Sequence, residues 1–202
     1  MPKPVVVGMD EVGRGALAGP VLVACVYFNA KTQAELPLIL EVAGLKKLRD
    51  SKQLTAKQRE RVYQAAFCNI QWSNGWALPS EIDELGLSAA VKLAADRALD
   101  MLKRLGGEPG LVRADAGLFH SLEDTIPTER HIKGDERFPE IGLASILAKV
   151  TRDKMMRELD ETFPGYGFVR NVGYGTPEHL AALRKLGSSP EHRKLFLRKL
   201  GI

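Results

Sequence analysis

Two adjacent acids, Asp10 and Glu11, stand between the apolar run Val5-Val6-Val7-Gly8-Met9 and a glycine-rich turn, Gly13-Arg14-Gly15. The run reads as a short strand, which puts both carboxylates at a strand end. Like charges so close repel each other, and consecutive side chains of a strand point to opposite faces. A cation that gathers them with acids from elsewhere in the chain relieves both problems. Hard oxygen ligands favour Mg²⁺ or Mn²⁺, and such a centre can hydrolyse a phosphodiester with activated water and no covalent nucleophile. Standing alone, the pair reads equally well as an ordinary acidic turn.

Asp115 and Asp135 shift that balance. Asp115 closes a strand candidate at 111–114, and Asp135 follows a weaker one, His131-Ile132-Lys133, through Gly134. Both are expected where strands end, and both can converge with Asp10 on one sheet edge. Taken singly, each is an ordinary turn or helix-entry aspartate. Gly13 and Gly15 let the backbone approach a ligand, where N–H and C=O groups suit a ribose hydroxyl that both donates and accepts. Asp50-Ser51-Lys52 offers hydroxyl and ammonium contacts to phosphate, as does Lys149, although a surface loop and a helix face account for them as well. Tyr174, between two glycines, suits stacking on a sugar or base, or plain packing.

The elements that must position these residues mix strands and helices along the chain. A β-rich run at 21–28 neighbours the first strand, and 69–78 gives a third. Thr55 and Gln58 form a capping-box pattern that opens a helix to about Phe67. Ser88 is expected to cap a longer helix, with Ala90, Leu93, Ala94, Ala98, Met101, Leu102 and Leu105 as its core stripe and Gly106-Gly107 as its stop. Pro139 suits the first turn of a helix ending before Pro164, Thr176-Pro177-Glu178 starts another that Gly187 ends, and Pro190 allows a last helix through the tail. There is no internal repeat or low-complexity linker, so an α/β unit is expected.

The chain has 202 residues, 45% of them hydrophobic, enough for a sizeable core. Without a membrane-length apolar run or a signal-peptide pattern, a cytoplasmic protein is expected. Cys25 and Cys68 lack metal-ligand spacing and are both expected as buried small hydrophobes. From Arg170 onward seven Lys/Arg face two Asp/Glu, a local charge of +5 against +4 for the whole chain, leaving −1 for the rest. A basic end suits a phosphate backbone, or simply a solvated helical face.

Together the motifs resemble the bacterial type 2 ribonucleases H, ribonuclease HII, from about Val5 to Leu186. The matching pieces are Asp10-Glu11-Val12-Gly13-Arg14-Gly15, Asp50-Ser51-Lys52, Lys133-Gly134-Asp135, Ala144-Ser145-Ile146-Leu147-Ala148-Lys149-Val150 with Arg152-Asp153, and Gly173-Tyr174-Gly175-Thr176. The resemblance implies a ribonuclease H-like fold, a mixed five-stranded sheet flanked by helices, in one domain over 1–202. Residues from about 164 to 202 would be a helical segment beside the substrate groove. It also implies that Asp10, Glu11, Asp115 and Asp135 bind Mg²⁺ or Mn²⁺ and catalyse, that Gly13, Arg14 and Gly15 read a 2′-hydroxyl, and that Tyr174 stacks on the adjoining deoxyribose. Ser51, Lys52 and Lys149 would contact the substrate. The expected substrates are RNA–DNA hybrids and duplex DNA carrying a single ribonucleotide, cut on its 5′ side to leave 3′-hydroxyl and 5′-phosphate ends. The Arg152-Asp153 pair is structural in that pattern.

Two positions depart from the pattern. Ala116 follows Asp115 where glycine is usual, which would alter the backbone beside a ligand, and Asn171-Val172 replaces a basic or histidine-containing pair. A catalytically inactive nucleic-acid-binding module of the same fold is the chief alternative, and the presence of all the acids argues against it. The type 3 branch would need an N-terminal substrate-binding domain, for which the four residues before Val5 leave no room. A small-molecule phosphohydrolase would have no use for the basic tail or Tyr174. A monomer is the default; protein partners are left open.

Overall fold

The computed structural model describes residues 4–46 and 53–201. Asp50, Ser51 and Lys52 therefore lie outside the described residues. A five-stranded sheet runs in the order β3-β2-β1-β4-β5, with β1 Val6–Val12, β2 Val21–Phe28, β3 Trp72–Ala77, β4 Leu111–Asp115 and β5 Thr128–His131. β1 pairs antiparallel with β2, and β2 with β3, while β1–β4 and β4–β5 are parallel. The expected mixed five-stranded sheet is present.

Strand β2 is buried on both faces, and its alternation divides the core. Val21, Val23 and Cys25 pack with Val7 and Met9 of β1 against Ala94, Ala98 and Leu102 of helix α4, Leu87–Arg104. Leu22, Ala24 and Val26 face the other way, against helices α1 (Ala30–Val42), α2 (Ala56–Phe67) and α6 (Pro139–Thr162). Gly8 of β1 lies under α6, where a Cβ would stand 2.2 Å from the Glu140 carbonyl carbon. Only glycine permits that approach, and it brings the long helix down onto the strand that ends in Asp10 and Glu11.

Several local expectations hold in detail. The Thr55–Gln58 capping box forms both of its hydrogen bonds, Pro139 occupies the first turn of α6, and Thr176 caps α8 (Pro177–Leu186) with Gly187 at its end. Others need correction. Ser88 is not the cap of α4: Gly86 is, with the helix already under way at Leu87. The third strand is shorter than 69–78, because Asn69 and Ile70 still bond back to Ala66 at the end of α2. The weak strand lies at Thr128–His131, earlier than 131–133, because Lys133 adopts a left-handed φ of 54° that ends extended pairing. The last helix begins at Lys194, beyond Pro190. Cys25 is buried as expected, but Cys68 is exposed at the C-cap of α2. α1, with Pro37 inside it, and α3 (Pro79–Leu85) left no clear trace in the residue pattern. A short α5 spans Gly134–Arg137, α7 spans Phe168–Asn171 and α9 spans Lys194–Lys199.

Candidate metal and nucleic-acid site

Parallel pairing of β1 with β4 aligns Gly8 with Arg113 and Met9 with Ala114, so Asp10 and Asp115 come next to each other one step further along. Both share the parity of Gly8 and Arg113, the face covered by α6, where Arg113 reaches Glu140 at 2.9 Å. Glu11 has the opposite parity, but it is near the end of its strand. Asp135 arrives from α5, a single turn after the left-handed Lys133, so its place is a helix rather than a strand end. A pocket of about 680 Å³ is lined by Asp10, Glu11, Asp115 and Asp135 together with Gly13, Arg14, Gly15, Lys149 and Tyr174. Every candidate among the described residues thus borders one cavity.

Burial is the first cause that pushes the Asp10 carboxyl well above its ordinary range, with the charges of Glu11 and, more weakly, Asp115 adding to it. Hydrogen bonds from the Ser145 side chain and the Glu11 N–H, the latter 2.8 Å from Asp10 Oδ1, oppose this rise. Glu11 is likewise raised by burial, against the pull of Arg14, whose Nη1 lies 3.2 Å from Glu11 Oε1. The other carboxylate oxygen, Glu11 Oε2, is buried without a hydrogen-bond partner. A buried anionic oxygen left over beside neighbouring carboxylates is a ligand position for a hard cation, and the all-oxygen donor set fits Mg²⁺ or Mn²⁺. Among the described residues, no three acidic, histidine or cysteine side chains are already drawn together as a closed cage. They engage nearby donors instead: Arg14 holds Glu11, and the Gly134 N–H donates to Asp115 Oδ1 at 3.2 Å.

Cations stand around these acids. Arg14, Arg59, Lys133 and Lys149 all border the pocket. Lys149 Nζ pairs with Asp153 at 2.8 Å, which makes Asp153 its partner and leaves it outside the acid group. Ser145 and Lys149, four residues apart, project from one face of α6. Ser145 and Arg59 were not singled out from the sequence as site residues. A serine inside an apolar helix repeat offers no signal until the helix is laid across β1, and Arg59 is one charge among several on α2.

The two departures are absorbed without displacing the site. Ala116 keeps a negative φ, its N–H donates to the His131 carbonyl at 3.1 Å, and Gly117 takes the positive φ of 90°. Asp115 accordingly lines the pocket with the other acids. Asn171 is buried, with its amide donating to the Tyr166 carbonyl and its oxygen accepting from the Gly173 N–H. Val172 sits in the left-handed region at φ 43°, unusual for a β-branched residue.

The sheet order and helices define a ribonuclease H fold. The ribonuclease HII of Archaeoglobus fulgidus, solved in a complex with PCNA, superposes with a TM-score of 0.74 over 94% of both chains at 23% identity. A Bst ribonuclease HIII in complex with Mn²⁺ gives a TM-score of 0.67 over 91% of this chain and 63% of that one, at 21% identity. The ribonuclease HII family model matches residues 7–199. Ribonuclease HII of Desulfitobacterium hafniense is 44% identical over 95% of this chain and 68% of its own length. The chain belongs to the ribonuclease HII family, nucleases with ribonuclease H activity that use divalent metal ions.

Proposed function

We propose that this enzyme hydrolyses the RNA strand of RNA–DNA hybrids and also incises duplex DNA on the 5′ side of an embedded single ribonucleotide, leaving 3′-hydroxyl and 5′-phosphate ends. Asp10, Glu11, Asp115 and Asp135 would hold Mg²⁺ or Mn²⁺. Bound there, the metal supplies Lewis acidity that lowers the pKa of water and offsets charge on the departing oxygen. The chain itself orients the carboxylates: Ser145 and the Glu11 N–H hold Asp10, and the Gly134 N–H holds Asp115. Arg14, Arg59 and Lys149 border the acids with positive charge suited to the phosphate backbone. The Gly13–Gly15 backbone reads the 2′-hydroxyl, and Tyr174 stacks on the next sugar, so the two together select an RNA-to-DNA junction. Residues 1–202 act as one unit in which 164–202 form the helical wall of the groove.

The observation that carries this reading is that acids from β1, β4 and α5 share a single pocket with the glycine turn and Tyr174. A separate binding module would have no need to bury Glu11 Oε2 without a partner. The test is cleavage of a labelled duplex containing one ribonucleotide in Mg²⁺, Mn²⁺ or EDTA. Metal-dependent cutting 5′ to the ribonucleotide, lost in Asp10→Asn, is expected. Duplex binding without cutting by the folded wild type, in either metal, would replace the reading with that of an inactive binding module.

A further inference from the structure

Arg152 and Arg193 are both completely buried, yet among the described residues neither has a carboxylate at salt-bridge distance. Their acceptors are backbone carbonyls. Arg152 donates through Nε to Pro20 at 2.9 Å, through Nη2 to Ala18 at 3.0 Å and through Nη1 to Val172 at 2.8 Å. Arg193 donates through Nε to Gly19 and through Nη1 to Arg14, both at 2.9 Å, and its own N–H reaches the Leu17 carbonyl at 2.8 Å. Gly13 lies directly against Arg152: a Cβ there would be 2.4 Å from Nε. The segment that follows Gly13 is thus bound on one side to α6 and on the other to the C-terminal segment.

The same fork ties that segment to the loop bearing Tyr174. Val172, whose carbonyl Arg152 holds, has the left-handed backbone noted above, and the Gly173 carbonyl accepts from the Leu17 and Ala18 N–H groups at 2.7 and 3.2 Å. A strained β-branched residue persists only where its surroundings over-determine it. A planar guanidinium with fixed donor directions can fix angles among several carbonyls, as an ammonium cannot. All peptides here are trans, so the Gly15 N–H points opposite to the Arg14 carbonyl. With that carbonyl turned onto the buried Arg193, the Gly15 N–H is directed away from Arg193, and Gly15 lines the pocket.

We propose that Arg193, together with Arg152, is a positioning residue for junction recognition: Arg193 aims the Gly15 N–H at the substrate, and Arg152 fixes the spacing between the glycine turn and Tyr174. The inference rests on the substrate reading above. It predicts unequal losses on two substrates. A uniform hybrid offers a 2′-hydroxyl at every nucleotide, so a displaced turn finds one in a neighbouring register. A single embedded ribonucleotide offers one hydroxyl in one place.

The experiment measures kcat and KM separately for both substrates in wild type, Arg193→Lys, Arg152→Lys and the buried-core control Leu99→Ala, with the Gly15 amide followed by ¹⁵N NMR. Lysine keeps a terminal nitrogen donor and loses the fork. Arg193→Lys is expected to lower kcat/KM on the single-ribonucleotide duplex on the order of 10²-fold, the scale of a misplacement near 1 Å. The uniform hybrid should lose about tenfold less, and the Gly15 resonance should shift. Leu99→Ala should lower the melting temperature while leaving the substrate ratio and that resonance in place. Arg152→Lys carries the same test should Arg193→Lys fail to fold. A folded lysine variant that keeps the wild-type ratio overturns the proposal. If wild type cuts neither substrate, the functional reading fails on its own account, and an unmoved Gly15 resonance would then sink the clamp.

Discussion

At the ends of β1 and β4, Asp10 and Glu11 are held beside each other near Asp115; behind the glycine turn, Arg152 and Arg193 are held near each other with their charges in repulsion. Each region concentrates one sign of charge, and burial opposes ionisation in both. Burial raises the Asp10 and Glu11 carboxyls, while burial first and Arg152 second push the Arg193 guanidinium down to about 9. The difference lies in what the charged groups face. The arginines meet carbonyls that would otherwise be orphaned, so charge and acceptors need each other. One atom in each region is buried without a partner, Glu11 Oε2 among the acids and Arg193 Nη2 among the arginines, but only the acids line an open pocket. Like charges that line an open pocket are placed to meet a cation from outside the chain, whereas like charges whose donors close on several backbone carbonyls form the scaffold that holds the site's shape.

The sharpest way to break this comparison is to neutralise one charge in each region and measure denaturant stability in EDTA. Arg152→Met strands the carbonyls of Ala18, Pro20 and Val172, each costing about 1–3 kcal/mol when buried unpaired, so a loss of about 3–5 kcal/mol is expected. Asp10→Asn keeps an acceptor for the Glu11 N–H and removes a repulsive charge, so a gain of about 1 kcal/mol is expected. Adding Mg²⁺ or Mn²⁺ should stabilise wild type and leave Asp10→Asn behind. If both substitutions destabilise to the same extent in EDTA, the acid group is a scaffold like the arginines and the contrast collapses.

How much of this was visible beforehand depends on whether a residue's role is local. Strand ends, the Thr55 capping box, Pro139 and Gly187 act within a few residues, so the main strands and helices could be read from the chain. The acids could be placed at strand ends because β4 stops at Asp115 and β1 just past Glu11. Asp135 was harder. Whether Lys133 extends a strand or turns out of it depends on contacts with α6, such as Gly134 against Ile141, which no local pattern encodes. The basic tail misled in one respect. Arg193 counts toward its charge but is fully buried, while Lys194, Arg198 and Lys199 are exposed. A charge count cannot separate a clamp from a solvated face, since the carbonyls that receive Arg193 come from Arg14 and Gly19 at the far end of the chain.

The glycine turn gives a smaller effect that sharpens the comparison, because Gly13 touches the arginine side while Gly15 faces the pocket. Gly13 has φ 91°, and an added methyl would collide with Arg152 Nε and Cδ. Gly13→Ala is expected to cost about 2 kcal/mol, since the left-handed region alone accounts for 1–2. At Gly15 the nearest atom to an added Cβ is Tyr174 Cε1 at 3.9 Å, so Gly15→Ala should change stability by less than about 0.5 kcal/mol. Thermal melts of the two variants decide it. Equal losses would mean that Arg152 yields to the methyl and does not clamp the turn.

The smallest effect at neutral pH, growing on acidification, belongs to the histidines behind Tyr174. The Ser189 N–H donates to His192 Nδ1 at 2.9 Å, the His192 and His179 Nε2 atoms face each other at 3.0 Å, and His179 Nδ1 meets the Tyr174 carbonyl at 2.9 Å. With His192 Nδ1 accepting, its Nε2–H donates to His179, whose Nδ1–H donates onward, so both rings are neutral. Burial first, then the neighbouring His179, push His192 down from 6.5 to about 4. Between those values the unfolded chain binds the extra proton. The histidine's contribution is therefore complete above pH 6.5 and is lost as pH falls toward 4, at up to about 1.4 kcal/mol per pH unit. The raised Asp10 and Glu11 carboxyls work in the opposite sense, since protonation relieves their repulsion, so the slope of wild type alone is a sum. Subtracting the profile of His192→Gln isolates the histidine, because both chains share the acids. Wild type should lose its advantage over the variant across that window. Parallel profiles would show that the His192 ring is held by packing against Tyr166 and Phe168 and owes nothing to the neutral pair.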